Sequence, residues 1–159
     1  MKAVTVKELK DELNNYTPKE LRELCLRLAR FKKENKELLT YLLFESSDET
    51  FYIESVKSEV DQQFEQINKK SHYLIKKSFR KILRGIKKYA RYSQKKETEV
   101  ELLVYFCARL KKFTPSIQKN TGLQNFYNRQ IETIRKKVSL LHEDLQFDYG
   151  MELNALESW

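Results

Sequence analysis

Lysine and arginine side chains crowd one stretch of the chain, residues 76–96, which reads KKSFRKILRGIKKYARYSQKK. Ten of its 21 residues are Lys or Arg, and none is Asp or Glu. Ammonium and guanidinium groups at this density bind phosphates and carboxylates through charge-assisted hydrogen bonds. The chemistry that this stretch indicates is therefore the binding of a polyanion.

A helix over residues 70–93 would separate these cations from the apolar side chains, because successive residues of a helix are about 100° apart. One narrow stripe, predicted to face the core, holds Ile75, Phe79, Ile82 and Ile86. The opposite stripe holds the residues that we call the cationic ridge: Lys77, Arg80, Lys81, Arg84, Lys88 and Arg91. Lys95 is predicted to extend this stripe. Ser78 and Gly85, on its flank, would let a neighbouring helix approach closely.

The cationic ridge needs a counter-charge, because like charges four residues apart repel by a few tenths of a kcal/mol per pair. The first explanation is internal, with water and salt alone or with acidic residues of this chain against the ridge. The acidic candidates are Glu143, Asp144, Asp148, Glu152 and Glu157 near the C-terminus, and Glu54, Glu59, Asp61 and Glu65 before the ridge. The second is the phosphate backbone of RNA or DNA. The third is an acidic protein surface, which is favoured over an anionic membrane because the apolar stripe is used by the fold.

Three tyrosines, Tyr73, Tyr89 and Tyr92, are interleaved with the cations. Their rings could stack on unpaired bases, which would favour the nucleic-acid explanation. The competing interpretation is that each lies on a helix shoulder at the edge of the core. If the ridge binds nucleic acid, Tyr92 is predicted to be the stacking residue.

Few residues elsewhere suggest catalysis. The two histidines, His72 and His142, lack metal-ligand spacing, and three glycines are too few for a glycine-rich phosphate loop. Cys25 and Cys107 lie within apolar helical patterns and are predicted to be reduced core residues, not a disulfide. We therefore predict a non-enzymatic protein without a cofactor or a metal.

The composition indicates a single all-α domain spanning residues 1–159. Only three glycines and two prolines are present, which leaves little room for hairpins. The longest apolar run, residues 102–108, is too short to span a bilayer, and the N-terminus lacks the apolar run of a signal peptide. A cytoplasmic location is therefore expected.

The net charge of +8 is distributed unevenly along the chain: residues 66–96 carry +12 and residues 138–159 carry −5.

The helices have recognisable boundaries and apolar patterns. Capping boxes begin two of them, at Thr5–Glu8 and Thr17–Glu20, and a third is predicted at Ser46–Glu49. Helices are predicted over residues 5–14, 18–33, 35–45, 70–93, 99–113 and 121–146. A further helix is predicted to follow Ser46–Glu49, with apolar residues spaced 3, 4, 4 and 3 apart: Ile53, Val56, Val60, Phe64 and Ile67. The segment 99–113 is apolar on most faces and is predicted to be the central helix. A strand is the competing interpretation there, because the segment contains β-branched and aromatic residues.

The last long helix carries apolar residues spaced 4, 3, 4, 3 and 4 apart: Tyr127, Ile131, Ile134, Val138, Leu141 and Leu145. This spacing suits antiparallel packing and leaves open a homodimer through the same residues. Gly150 is predicted to interrupt the chain, so that the acidic segment 147–159 is a short, loosely docked helix or a frayed end. The predicted architecture is six or seven helices in an irregular antiparallel bundle or a short stack of helical hairpins.

The order of these features resembles a family of small, all-helical bacterial proteins of unknown function. The resemblance is carried over about residues 5–140 by YTPKELRELCLRLARFKKENKELL, KKSHYLIKKSFRKILRGIKKYA, EVELLVYFCARL and LQNFYNRQIETI. It implies a cytosolic bacterial protein and transfers no functional residues. The most concrete function predicted from the residues is binding of nucleic acid, either RNA or DNA, by the cationic ridge and Tyr92. The alternative is an interaction module or structural subunit whose ridge meets an acidic surface or its own acidic tail.

Overall fold

The computed structural model describes all 159 residues, and the predicted all-α class is confirmed. The α-helices, in chain order, are α1 (Val6–Leu13), α2 (Pro18–Phe31), α3 (Lys33–Thr40), α4 (Glu49–Glu65), α5 (His72–Ser93), α6 (Lys96–Lys111), α7 (Thr121–Val138) and α8 (Glu143–Glu157). A π-helical turn, Tyr41–Glu45, continues α3, and a 3₁₀ turn, Ile117–Lys119, precedes α7. The chain divides into two compact units, Met1–Glu45 and Ser46–Trp159.

Side chains cap the helices close to where the sequence predicts. The Glu20 amide donates to Thr17 Oγ1 at 3.3 Å, and Glu20 Oε2 accepts from the Thr17 amide at 2.7 Å. The box at Thr5 has the same form. The third predicted box is wrong, because Asp48 is the N-cap of α4 and its carboxylate accepts from the Phe51 amide at 3.0 Å.

The N-terminal unit has little core of its own. Helix α2 packs along α3, and the Asn35 side chain donates to the Leu28 carbonyl at 2.8 Å. None of α1, α2 and α3 contains a buried residue, and Leu28 and Phe31 are 60% and 84% exposed. Cys25 is also exposed, so its predicted place in a core is wrong. Its helix has the predicted apolar stripe, but that stripe is not covered at Cys25.

Helix α6 is the centre of the C-terminal unit. It packs against α4, α5, α7 and α8, and buries eight residues: Thr98, Val100, Leu102, Leu103, Val104, Phe106, Cys107 and Leu110. The predicted central helix is therefore confirmed, and the strand interpretation is wrong. Contact with four neighbouring helices explains why this segment is apolar on most of its circumference.

Five phenylalanines from successive elements join around Phe79. The Phe79 ring centroid lies 5.9 Å from that of Phe64, 5.1 Å from that of Phe113 and 6.1 Å from that of Phe126. Phe106 contacts Phe64 and Phe126, at 5.8 and 6.4 Å between centroids. These tilted, edge and offset arrangements are the favourable geometries of aromatic pairs. The cluster ties α4, α5, α6 and α7 together.

The predicted helix over residues 121–146 is in fact two helices. Helix α7 ends at Val138, and α8 begins after its N-cap, His142. Gly150 lies inside α8 and does not interrupt it. The apolar residues of α7 are buried within the chain (Tyr127, Ile131, Ile134 and Val138), and Leu145 belongs to α8. These four side chains are therefore used by the fold of the single chain and are not exposed for the homodimer contact that the spacing leaves open.

The C-terminal segment is packed and hydrogen-bonded. Leu153 and Leu156 of α8 are buried, and Tyr127 donates its hydroxyl to the Leu156 carbonyl at 2.9 Å. Lys111 Nζ donates to the Ala155 carbonyl at 2.6 Å, and the Trp159 ring contacts Tyr127 at 5.3 Å between centroids. This segment is a structural part of its unit. None of the helices has the length and apolar character needed to cross a membrane.

Replacing Phe79 with alanine should lower the free energy of unfolding by about 3–5 kcal/mol, because it removes a fully buried ring from the phenylalanine cluster. Urea unfolding followed by circular dichroism measures this change. Phe51, which is 62% exposed, supplies the matched control, and Phe51→Ala should change stability by less than about 0.5 kcal/mol. Equal losses from the two variants would contradict the assignment of Phe79 to the core.

The two thiols should differ in their reaction with a disulfide reagent such as DTNB. Cys25 is exposed, whereas Cys107 is buried, and burial raises the pKa of the Cys107 thiol to about 12. Since the thiolate is the reacting form, the native protein should release about one equivalent of thionitrobenzoate and the unfolded protein two. Native Cys25→Ser protein should release almost none. Rapid release of two equivalents from the native wild type would contradict the burial of Cys107.

Candidate nucleic-acid interface

Helix α5 positions the cationic ridge by burying its opposite side. The buried residues are Ile75, Phe79, Ile82, Leu83, Ile86, Ala90 and Ser93, which include the whole stripe predicted to face the core. The helix begins at its N-cap, Ser71, whose hydroxyl accepts from the Leu74 amide at 3.2 Å. It ends where Gln94 adopts a left-handed conformation with φ of 58°.

The Glu49 carboxylate organises the junction between α5 and α6. It accepts hydrogen bonds from the hydroxyls of Ser93 and Thr98, the latter at 2.6 Å, and pairs with Lys95 Nζ at 3.1 Å. Lys95 therefore lies beyond the end of α5, and its predicted place on the exposed stripe is wrong. The sequence predicts the cation but not the turn at Gln94 that redirects the chain.

Five members of the cationic ridge are exposed without an ionic partner: Lys77, Arg80, Lys81, Arg84 and Arg91. None of the five forms an ion pair or a side-chain hydrogen bond in the structure. From Lys77 to Arg91 the helix rises by about 21 Å. The result is a line of cations that this chain leaves without bound counter-charges.

Several acidic residues suggested as internal counter-charges lie against other groups. Asp61 accepts from the Tyr105 hydroxyl at 2.7 Å and lies 3.0 Å from Arg109 Nε, as an ion pair without an aligned hydrogen bond. Glu157, near the C-terminus, pairs with Arg135 on α7 at 2.5 Å. Neither these residues nor the rest of the acidic C-terminal helix pairs with the five exposed ridge cations.

The last turns of the ridge are partly engaged within the chain. Lys88 is half-buried, with its Nζ 4.6 Å from the centroid of the Tyr89 ring. Tyr89 donates its hydroxyl to Glu59 at 2.8 Å and contacts the edge of Tyr92 at 6.0 Å between centroids. Tyr92, the predicted stacking residue, is thus half-buried in an aromatic pair. Lys88 and Tyr92 are less accessible to a ligand than the other predicted site residues.

Tyr73, at the beginning of α5, is the most exposed aromatic residue of the helix. Its side chain is 73% exposed and has no hydrogen bond or ring contact. It precedes Arg80, Arg84 and Arg91 by close to two, three and five helical turns. The helical phase in the sequence already places Tyr73 on the ridge side, and this signal would have favoured it over Tyr92.

Gly85 lies on the flank of the ridge, and its surroundings differ from those predicted. A Cβ atom built at Gly85 has no neighbour within 4 Å, so no helix packs closely against it. The predicted close approach at this glycine is therefore wrong.

A separate cleft, lined by acidic residues, lies between α4, α6 and α8. Lys57 bridges Glu54 and Glu101 there, at 2.9 and 2.8 Å. Burial alone would lower the pKa of Lys57, but the two carboxylates outweigh it and raise that pKa. Burial, together with the hydrogen bond to Asp61, raises the pKa of Tyr105 to about 12. These ion pairs and hydrogen bonds indicate that Lys57 and Tyr105 belong to a network that stabilises the packing of the helices.

Neither of the two histidines lines this cleft. His72 is exposed at the start of α5, and His142 caps α8, with its Nδ1 accepting from the Asp144 amide at 3.4 Å. No group of three or more His, Cys, Asp or Glu residues has the geometry to hold a metal ion.

Comparison with known proteins gives no match to a protein-family model, a curated protein or a solved structure. The resemblance to small helical bacterial proteins therefore stays a prediction.

Replacing Gly85 with alanine should raise the free energy of unfolding by about 0.5–1 kcal/mol, because glycine inside a helix loses more backbone entropy on folding than alanine does. The open space beside Gly85 accepts the added methyl group. Chemical denaturation measures the effect, and Gly150→Ala in α8 should give a gain of similar size because its surroundings are also open. A loss of stability in Gly85→Ala would show that an unrecognised contact needs this glycine.

Proposed function

We propose that the protein binds nucleic acid through the cationic ridge of α5. The observation that carries the proposal is the line of five exposed cations without partners within the chain: Lys77, Arg80, Lys81, Arg84 and Arg91. Phosphates spaced along a nucleic-acid strand supply counter-charges to such a line. Binding, and not catalysis, is the role that these residues support.

The rigid placement of the ridge favours this function. The buried apolar residues of α5 pack into the core on the side opposite the cationic ridge. Near the C-terminal end of α5, the Tyr52 hydroxyl donates a hydrogen bond to the Tyr89 carbonyl at 2.9 Å. The backbone that presents the cations is therefore already ordered before a ligand arrives. A preordered site avoids part of the entropy cost of binding.

The physical driving force would be the release of counterions from the phosphates. If five cations each neutralise one phosphate, the slope of log K against log salt concentration should be about −3.5 for a single strand and about −4.5 for B-form DNA. An acidic protein surface is the second candidate, because the same ridge offers it the same counter-charges. Nucleic acid is favoured by the exposed Tyr73 ring beside the cations.

Reversing two central charges of the ridge, as Arg80→Glu/Arg84→Glu, should weaken binding of mixed-sequence RNA and DNA at least tenfold. Each substitution removes a phosphate contact and adds a repulsive carboxylate, so the magnitude of the salt slope should fall by at least about 1.4 for a single strand. Fluorescence anisotropy across a salt series from about 50 to 300 mM measures both quantities.

The matched control is Arg129→Glu/Lys136→Glu, which changes the net charge equally at two exposed cations of α7 without ion pairs. This control should keep most of the affinity. Absence of binding to the wild type at low salt would overturn the proposal, and retention of an acidic protein on the ridge would then favour the second candidate. Equal losses in the two double variants would mean that net charge, and not the ridge, is responsible.

A further inference from the structure

We propose that the ligand of the cationic ridge is single-stranded nucleic acid and that Tyr73 stacks on one of its unpaired bases. This inference rests on the proposed function and adds the class of nucleic acid and a contact residue. The Tyr73 ring is 73% exposed, whereas the other large apolar side chains of α5 are buried or half-buried.

Tyr73 differs from four other tyrosines of the chain in its hydrogen bonding. Four others donate their hydroxyls within the chain: Tyr52 to the Tyr89 carbonyl, Tyr89 to Glu59, Tyr105 to Asp61 and Tyr127 to the Leu156 carbonyl. The Tyr73 hydroxyl has no such acceptor, and its ring has no aromatic or cationic neighbour. The fold therefore makes no visible use of this side chain.

The helical phase of Tyr73 places it in line with the phosphate-binding groups. It lies 7, 11 and 18 residues before Arg80, Arg84 and Arg91, which at 3.6 residues per turn is within about 20° of the same direction. A strand that follows the cations along α5 would therefore reach the Tyr73 ring.

The backbone under Tyr73 is fixed, so its position does not depend on a mobile loop. The Ser71 hydroxyl caps the first turn of α5, and Ile75 is only 1% exposed, two residues after Tyr73. The ring is thus carried on an anchored helical turn. This arrangement is typical of a stacking platform, which combines a cationic track with an aromatic ring.

The same geometry favours single strands over duplexes. In a duplex the base faces are stacked on one another, so they are not available to stack on an exposed ring that lies beside the phosphates. In a single strand an unpaired base can lie on the ring, and stacking of this kind tolerates any base. Phosphate contacts alone would produce a smaller difference in affinity between single-stranded and duplex nucleic acid.

The test compares a labelled mixed-sequence 16-nucleotide single strand, as RNA and as DNA, with its blunt DNA duplex, by anisotropy at one salt concentration. The wild type should bind the single strands more tightly. Tyr73→Ala should weaken single-strand binding by about 5- to 150-fold, the usual effect of losing one base-stacking ring, and should leave duplex binding within about twofold. Tyr73→Phe should retain single-strand binding, since it keeps the ring.

Tyr16→Ala is the control for loss of an exposed tyrosine, because Tyr16 is 39% exposed and lies far from α5 in sequence. It should leave both affinities unchanged. Binding of the wild type to none of the three ligands would overturn the proposed function and this inference with it. Binding that tolerates Tyr73→Ala, or that favours the duplex, would overturn this inference alone and leave the phosphate-binding ridge intact.

Discussion

The packing of Phe79 is the interaction on which the exposed ridge depends. Its ring lies against rings from α4, α7 and the segment after α6. Rotating α5 by one residue, about 100°, would move Phe79 out of this cluster and turn charged side chains toward it. Burial of a phenylalanine stabilises a fold by about 1.5–3 kcal/mol, whereas an unpaired buried charge is strongly unfavourable. These two effects together fix the orientation of α5 about its own axis.

The distribution of acidic residues complements this packing. The chain has 23 Asp and Glu residues, yet none forms an ion pair with the five exposed ridge cations. Several of them connect helices instead: Glu49 links α4 to the α5–α6 junction, Asp61 links α4 to α6, and Glu157 links α8 to α7. These carboxylates thus serve contacts between helices, and the positive charge of α5 remains on the surface.

Local patterns in the sequence predict the local features of this fold well. Capping boxes give the starts of α1 and α2, and periodicity gives the buried stripe of α5 and the central place of α6. The sequence does not predict the end of α7, because the apolar spacing continues through Leu141 and Leu145. The break depends on turn contacts, such as the hydrogen bond that the Gln146 side chain donates to the Leu141 carbonyl at 2.7 Å.

The exposed fraction of a side chain is harder to predict from the sequence than the helix face on which it lies, as Cys25, Lys88 and Tyr92 show. Periodicity assigns a side chain to a face, but burial depends on which elements cover that face. All but one of the buried hydrophobic residues lie within Ser46–Trp159. Unfolding of α1–α3 therefore adds little apolar hydration, and the heat-capacity increment of the whole chain should approach that of about 114 residues, roughly 1.4–1.7 kcal/mol/K, although the chain has 159.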